Sequence, residues 1–167
     1  MYRSACLALL ALLPLPGCSR PADPPPSAPA GQSGPAPEAP AVPFRRLAQL
    51  SAGGPAEAGQ QVVSTAAEWT ALWGRVGGEA PLPEVDFARE EVIVAAAGTR
   101  PSGGHAIEVA SVRDEGARRV VVVRETAPGS GCLNTQVLTE PADFVAVPKR
   151  AGAAYAFEKK RETTPCE

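Results

Sequence analysis

Between Ser19 and Pro43 the chain carries nine prolines, at 21, 24, 25, 26, 29, 35, 37, 40 and 43, with small residues between them and no hydrophobic period. Proline lacks a backbone donor and fixes φ, so this stretch favours solvated polyproline II over any packed element. Folding is thereby confined to the residues after Pro43. The pattern gives a tether over 18–43 and a single globular domain over 44–167. About 25 such residues reach ~75 Å when extended at ~3.1 Å each, and ~30 Å as a flexible coil. The domain is large enough to bury a core without a metal. With 44% apolar but only 5% aromatic residues, that core is expected to be mostly Val, Leu and Ala.

Upstream of the prolines, Arg3 precedes an apolar run from Ala5 to Leu15, the n-region and h-region of a secretory signal. The run falls short of the ~20 residues needed to cross a hydrocarbon core of ~30 Å. Leu15-Pro16-Gly17-Cys18 resembles the lipobox of bacterial lipoproteins. The resemblance implies removal of residues 1–17, lipidation of Cys18 and anchoring in the bacterial cell envelope, with the outer membrane one possible destination. Two acyl chains hold a protein at a membrane without help from an amphipathic helix. Losing Arg3 from 16 basic residues leaves 15 against 18 acidic ones, a balance of −3. No basic footprint for nucleic acid is present.

Within the domain, Phe44 to Leu50 and Gln60 to Thr65 read as strands separated by a Gly/Pro-rich turn. Thr65-Ala66-Ala67-Glu68 has capping-box spacing, and Trp69, Leu72, Trp73 and Val76 recur at i, i+3, i+4 and i+7. This predicts a helix over about 66–76, ended by Gly77-Gly78, with the Trp pair in the core. Val92 to Ala97 reads as a central strand. Ala106 to Val112 and Arg118 to Glu125 form a predicted hairpin about Asp114-Glu115-Gly116-Ala117. Leu133 to Thr139, Phe144 to Pro148 and Ala153 to Glu158 complete the expected strands. The fold class is α+β, a mainly antiparallel twisted sheet with one covering helix.

Chemistry-bearing residues are few. Ser102 lies three residues from His105, the only imidazole, and Asp86 is a conceivable third member, but Pro101-Ser102-Gly103-Gly104 is ordinary turn chemistry and no catalytic residue is assigned. One His and no Cys-x-x-Cys leave no expected metal site, and no cofactor is expected. Arg100, Ser102, Gly103, Gly104 and His105 form a candidate binding loop, in which a guanidinium beside glycine amides would hold a carboxylate or a peptide backbone. This supports an alternative reading as a small-molecule or peptide binding module. Cys132 and Cys166 remain after Cys18 is lipidated, and in an exported, oxidising compartment they are expected to form a disulfide. Lys159-Lys160-Arg161 reads as an exposed basic patch.

Five segments line up with one family: Glu68-Trp69-x-x-Leu72-Trp73, Val85-Asp86-Phe87, Gly98 to Gly104, Arg124 to Pro128, and Phe144 to Pro148. Their order and spacing resemble the C-terminal domain of the protease complex subunit PrcB family over most of residues 60–150. Two positions depart from the pattern. His105 stands where an aromatic is expected, and Ala142-Asp143 where a bulky residue is expected after Pro141. The resemblance implies a non-enzymatic interaction domain that associates with a secreted serine protease and supports its assembly or maturation.

Overall fold

The computed structural model describes residues 39–166; the leader 1–17, the lipidation residue Cys18 and the tether as far as Glu38 lie outside the described residues. Strand β1 (Arg45–Leu50) and strand β2 (Gly59–Val63) precede helix α1 (Ala66–Val76). Five strands follow: β3 (Glu90–Ala96), β4 (Ala106–Glu115), β5 (Arg118–Pro128), β6 (Ala142–Pro148) and β7 (Ala154–Thr164). The α+β class stands, but the expected single sheet is two. One has the order β1-β6-β3-β2 and is wholly antiparallel, and the other has the order β4-β5-β7.

The helix begins as its cap predicts. Thr65 accepts a hydrogen bond from the Glu68 amide at 3.2 Å, and the Glu68 carboxylate accepts from the Ser64 amide at 3.2 Å. The Thr65 hydroxyl first, and then the Ser64 amide, hold the Glu68 carboxyl below its usual range. Gly77 closes the helix by donating to the Trp73 carbonyl at 2.7 Å. A Cβ on Gly77 would come within 2.4 Å of the Trp73 ring, so only glycine lets the chain turn across the indole. Trp69, Leu72 and Trp73 pack on Val92, Val94 and Phe144, the outer layer of the core. Both indole N–H groups reach the connecting loop, Trp69 to the Pro83 carbonyl at 3.0 Å and Trp73 to that of Ala80 at 3.2 Å. The Trp stripe is thus core on one side and a clamp on residues 80–83 on the other.

The second core layer lies between the two sheets, where Ile93, Ala95, Val145 and Val147 meet Ile107, Val109, Val112, Val121 and Val123. β3 and β6 are buried on both faces because one faces the helix layer and the other faces this one, which explains their continuous apolar runs. A bulge between Val109 and Ser111 shifts the alternation of β4, so Val112 rather than Ser111 points inward. Each fully buried Val contributes about 1.5–3 kcal/mol relative to exposure.

Three boundaries differ from the sequence reading. Leu133–Thr139 is not a strand; only Thr139 forms an isolated bridge, with Arg100. β7 continues to Thr164 and takes Lys159-Lys160-Arg161 into the sheet, paired in parallel with β5, the one parallel ladder among the described strands. The chain also meets the sheet ahead of Phe44. Ala41 bridges Arg113, Val42 donates to the Val112 carbonyl at 2.8 Å, and the Asp114 amide donates to the Pro40 carbonyl at 3.3 Å. These residues cover the Val112–Asp114 end of the β4 edge, whose backbone groups would otherwise remain open to other strands.

Candidate functional site

Three connections emerge at the same end of the two sheets: residues 51–58, 97–105 and 129–141. Main-chain bonds lace them together. Gly54 donates to the Glu140 carbonyl at 2.8 Å, Thr99 to that of Ala56 at 3.0 Å, and Ala97 to that of Pro141 at 2.9 Å. Arg100 and Thr139 exchange both backbone bonds, at 2.7 and 3.0 Å, and the Thr139 hydroxyl donates to the Ser102 carbonyl at 2.9 Å. Small residues make this approach possible. A Cβ on Gly98 would lie 2.6 Å from the Ala58 amide nitrogen, and one on Gly54 would lie 2.7 Å from the Ala142 Cβ. Ala142, where a bulky residue was expected, is what leaves room for the first connection.

The structure places the predicted loop residues in structural roles. The Arg100 guanidinium pairs with Glu125, which also has Lys159 and Arg161 at 3.9 Å each. Ser102 donates to the Gly103 carbonyl at 3.1 Å, and the Gly103 amide donates to the Thr135 carbonyl at 2.9 Å. Gly104 has φ +80°, and its missing Cβ accommodates the Asn134 side chain, whose Oδ1 would lie 2.6 Å from it. His105 is half-buried just before β4. Asp86 is bonded within its own turn, accepting from the Ala88 amide at 3.0 Å, and is not joined to Ser102 or His105. Among the described residues, no group of three or more His, Cys, Asp or Glu is arranged to hold a metal ion.

Cys132 and Cys166 are joined in a disulfide, Cα to Cα 5.2 Å. Together with the Gly129 amide donating to the Thr164 carbonyl at 2.9 Å, it clips the end of β7 to the start of the third connection. What the sequence reading missed is the segment held by this clip. Leu133 is 103% exposed, Leu138 68% and Val137 53%, three of the four exposed large apolar side chains of the described residues. Their irregular spacing was the available signal, since a half-buried strand would have alternated. A separate groove of about 560 Å³ runs between α1 and the start of β2, floored by Val94 and Ala96 and walled by Leu72, Arg75 and Val76.

Two buried ionic clusters tie the sheets together. Asp143, with no exposed side-chain surface, accepts two bonds from Arg46, at 2.9 and 3.0 Å, and one from the Val109 amide at 2.7 Å. Burial pushes its carboxyl above the usual range, against the pull of Arg46. At the opposite end Arg119 grips Asp114 at 2.9 and 3.2 Å, holding that carboxyl below its usual range, while Tyr155 donates to Glu91. Burial first, then the Glu91 carboxylate, pushes the Tyr155 hydroxyl upward. Such clusters fix how the two sheets sit on each other.

No curated protein and no solved structure matches the chain. Residues 92–148 match the family model described as PrcB C-terminal, a narrower span than the 60–150 of the sequence resemblance. The matched span runs from β3 to the end of β6 and holds both the Arg100–His105 loop and the whole 129–141 connection. On that match, residues 92–148 of this chain are similar to the C-terminal domain of the PrcB family.

Proposed function

We propose that this chain is a lipid-anchored protein of the bacterial cell envelope whose domain works by binding another protein, without catalysis, in support of the assembly or maturation of a secreted protease complex. The observation that carries this reading is the laced loop end, which holds Leu133, Val137 and Leu138 in water on a braced framework. Exposed apolar side chains gathered on one surface mark interaction sites. The side chains that would carry chemistry on this end are engaged elsewhere: Arg100 with Glu125 and Ser102 with a main-chain carbonyl. The family match supports a protease complex as the setting, and the resemblance of Leu15-Pro16-Gly17-Cys18 to a lipobox supports the membrane anchor. Mass spectrometry of the mature N-terminus should find a diacylglyceryl group on Cys18, and crosslinking in intact cells should recover an exported protease as the dominant partner. An unmodified Cys18, or a domain recovered without a partner, would refute the reading.

A further inference from the structure

We propose that β7 pairs antiparallel with β7 of a second copy of this chain, across a two-fold axis at Lys159, joining two sheets of three strands into one of six. This goes beyond the reading above and does not depend on it.

β7 is the outermost strand of its sheet, and its 11 residues pair with β5 one to one without a shift in register. Along a strand the N–H and C=O of one residue point to the same side, and the side alternates from residue to residue. Ala154 donates to the Ala117 carbonyl at 3.4 Å and Thr164 accepts from Gly129 at 2.9 Å, both on the β5 side. Even-numbered residues therefore spend their main-chain groups on β5. Those of Tyr155, Phe157, Lys159, Arg161 and Thr163 point out of the sheet and have no hydrogen-bond partner among the described residues. The other edges are covered or broken: residues 40–42 lie along one end of β4, β1 is bulged between Arg46 and Ala48, and β2 has only 5 residues.

The order of charges selects the occupant. Charges along an edge deter indiscriminate pairing, but here they match their own reverse. With the axis at Lys159, each Glu158 faces Lys160 of the other copy, Arg161 faces Phe157 and Glu162 faces Ala156. Both Glu158–Lys160 pairs fall at non-hydrogen-bonded sites, with Cα atoms ~4.5 Å apart, and the one like pair, Lys159 with itself, at a hydrogen-bonded site of ~5.5 Å. Each Lys159 also keeps Glu125 of its own copy at 3.9 Å. An axis at Lys160 would set Glu158 against Glu162 and Lys159 against Arg161. An axis at Arg161 matches Lys160 with Glu162 but sets Phe157 against Pro165, which has no donor. The remaining centres within Phe157–Glu162 match no opposite charges. Lys160 is also the one charged side chain of β7 without an ionic partner among the described residues: Glu158 reaches Arg113, Lys159 and Arg161 reach Glu125, and Glu162 reaches Arg124.

The test is sedimentation equilibrium of the purified full chain, disulfide intact, over a series of concentrations. A reversible dimer is expected. Glu158→Lys and Lys160→Glu should each weaken it about tenfold or more, because like charges then face each other twice, and an equimolar mixture of the two should restore it. Arg161→Pro deletes a donor that only the second copy uses, and should give a folded monomer. Lys159→Cys, on the axis, should form a disulfide-bonded dimer on mild oxidation, and Lys160→Cys should not. A monomer at every concentration, a dimer indifferent to Arg161→Pro, or a mixture no tighter than its parts would each overturn the proposal. Protection of the outward β7 amides from hydrogen exchange only when another protein is added would assign the edge to a foreign strand and likewise reject the second copy.

Discussion

The Val109 amide of β4 donates to the carboxylate of Asp143 in β6 at 2.7 Å, so a side chain of one sheet satisfies a main-chain donor of the other. Arg46 completes the arrangement by gripping the same carboxylate and donating to the Val109 carbonyl at 3.2 Å. Asp143→Ala would leave a buried amide unpaired and a guanidinium without its partner. A loss of about 3 kcal/mol is expected, at the low end for a broken buried pair because Arg46 can reach solvent. The melting temperature should fall by roughly 10 °C, and Asp143→Asn should lose less. Thermal unfolding of the two variants checks this.

Acid should act on three carboxylates in two opposite senses. Asp114 is held below its usual range by Arg119, and Glu115 by Arg113, so the stability they contribute is present above the ordinary carboxylate pKa of ~4 and is lost as pH falls through their folded-state values. Asp143 is raised, so its contribution is greatest below the ordinary value and is lost as pH rises through its folded value. Denaturant unfolding from about pH 2.5 to 6 should show a shallower acid loss for Asp114→Asn. Asp143→Asn should alter the slope only above about pH 4.

Gly98 has φ +75°, and any Cβ there would meet main-chain atoms of residue 58 that cannot swing away. Gly98→Ala should therefore cost about 1–3 kcal/mol and loosen the 51–58 connection. Gly53, with φ +78° and open space around it, should show only the backbone cost when changed to Ala, at the lower end of that range. Paired equilibrium unfolding of the two variants separates crowding from backbone strain.

Replacing Cys132 and Cys166 together with Ser opens a loop whose ends are 34 residues apart in sequence. Up to about 4 kcal/mol of stability is expected to go, mainly through the freed unfolded chain. Hydrogen exchange should quicken first over 129–139 and 162–166, and remain slow in β3 and β6, whose core does not depend on the clip.

Local signals were readable from the chain. The capping residues Thr65 and Glu68, the Trp69–Trp73 stripe, the hairpin at Gly116 and the pairing of Cys132 with Cys166 each have a short-range or compositional cause, and each stands in the structure. What escaped was set by distant partners. Lys159-Lys160-Arg161 is exposed as expected, but nothing within the chain announces that it lies in a strand or that β7 runs parallel to β5. Leu133–Thr139 has the composition of a strand, but Cys166 and the Gly103-Gly104 seat hold it as a loop. The separation into two sheets was hinted at only by a lone aspartate in the apolar run Ala142–Val147.

Pro40 and Val42 join the domain beside Val112 and Asp114, near the hairpin, whereas Leu133 sits past the other ends of the same strands. From Ala106 to Arg113 alone, β4 spans about 24 Å. An anchor upstream of Pro40 and a partner at Leu133, as proposed above, would therefore meet the domain at opposite poles without competing for surface. On the reading proposed above, tension between an anchor and a partner would run along the strands of β4 and β5, and the length of the domain would set the least distance between them.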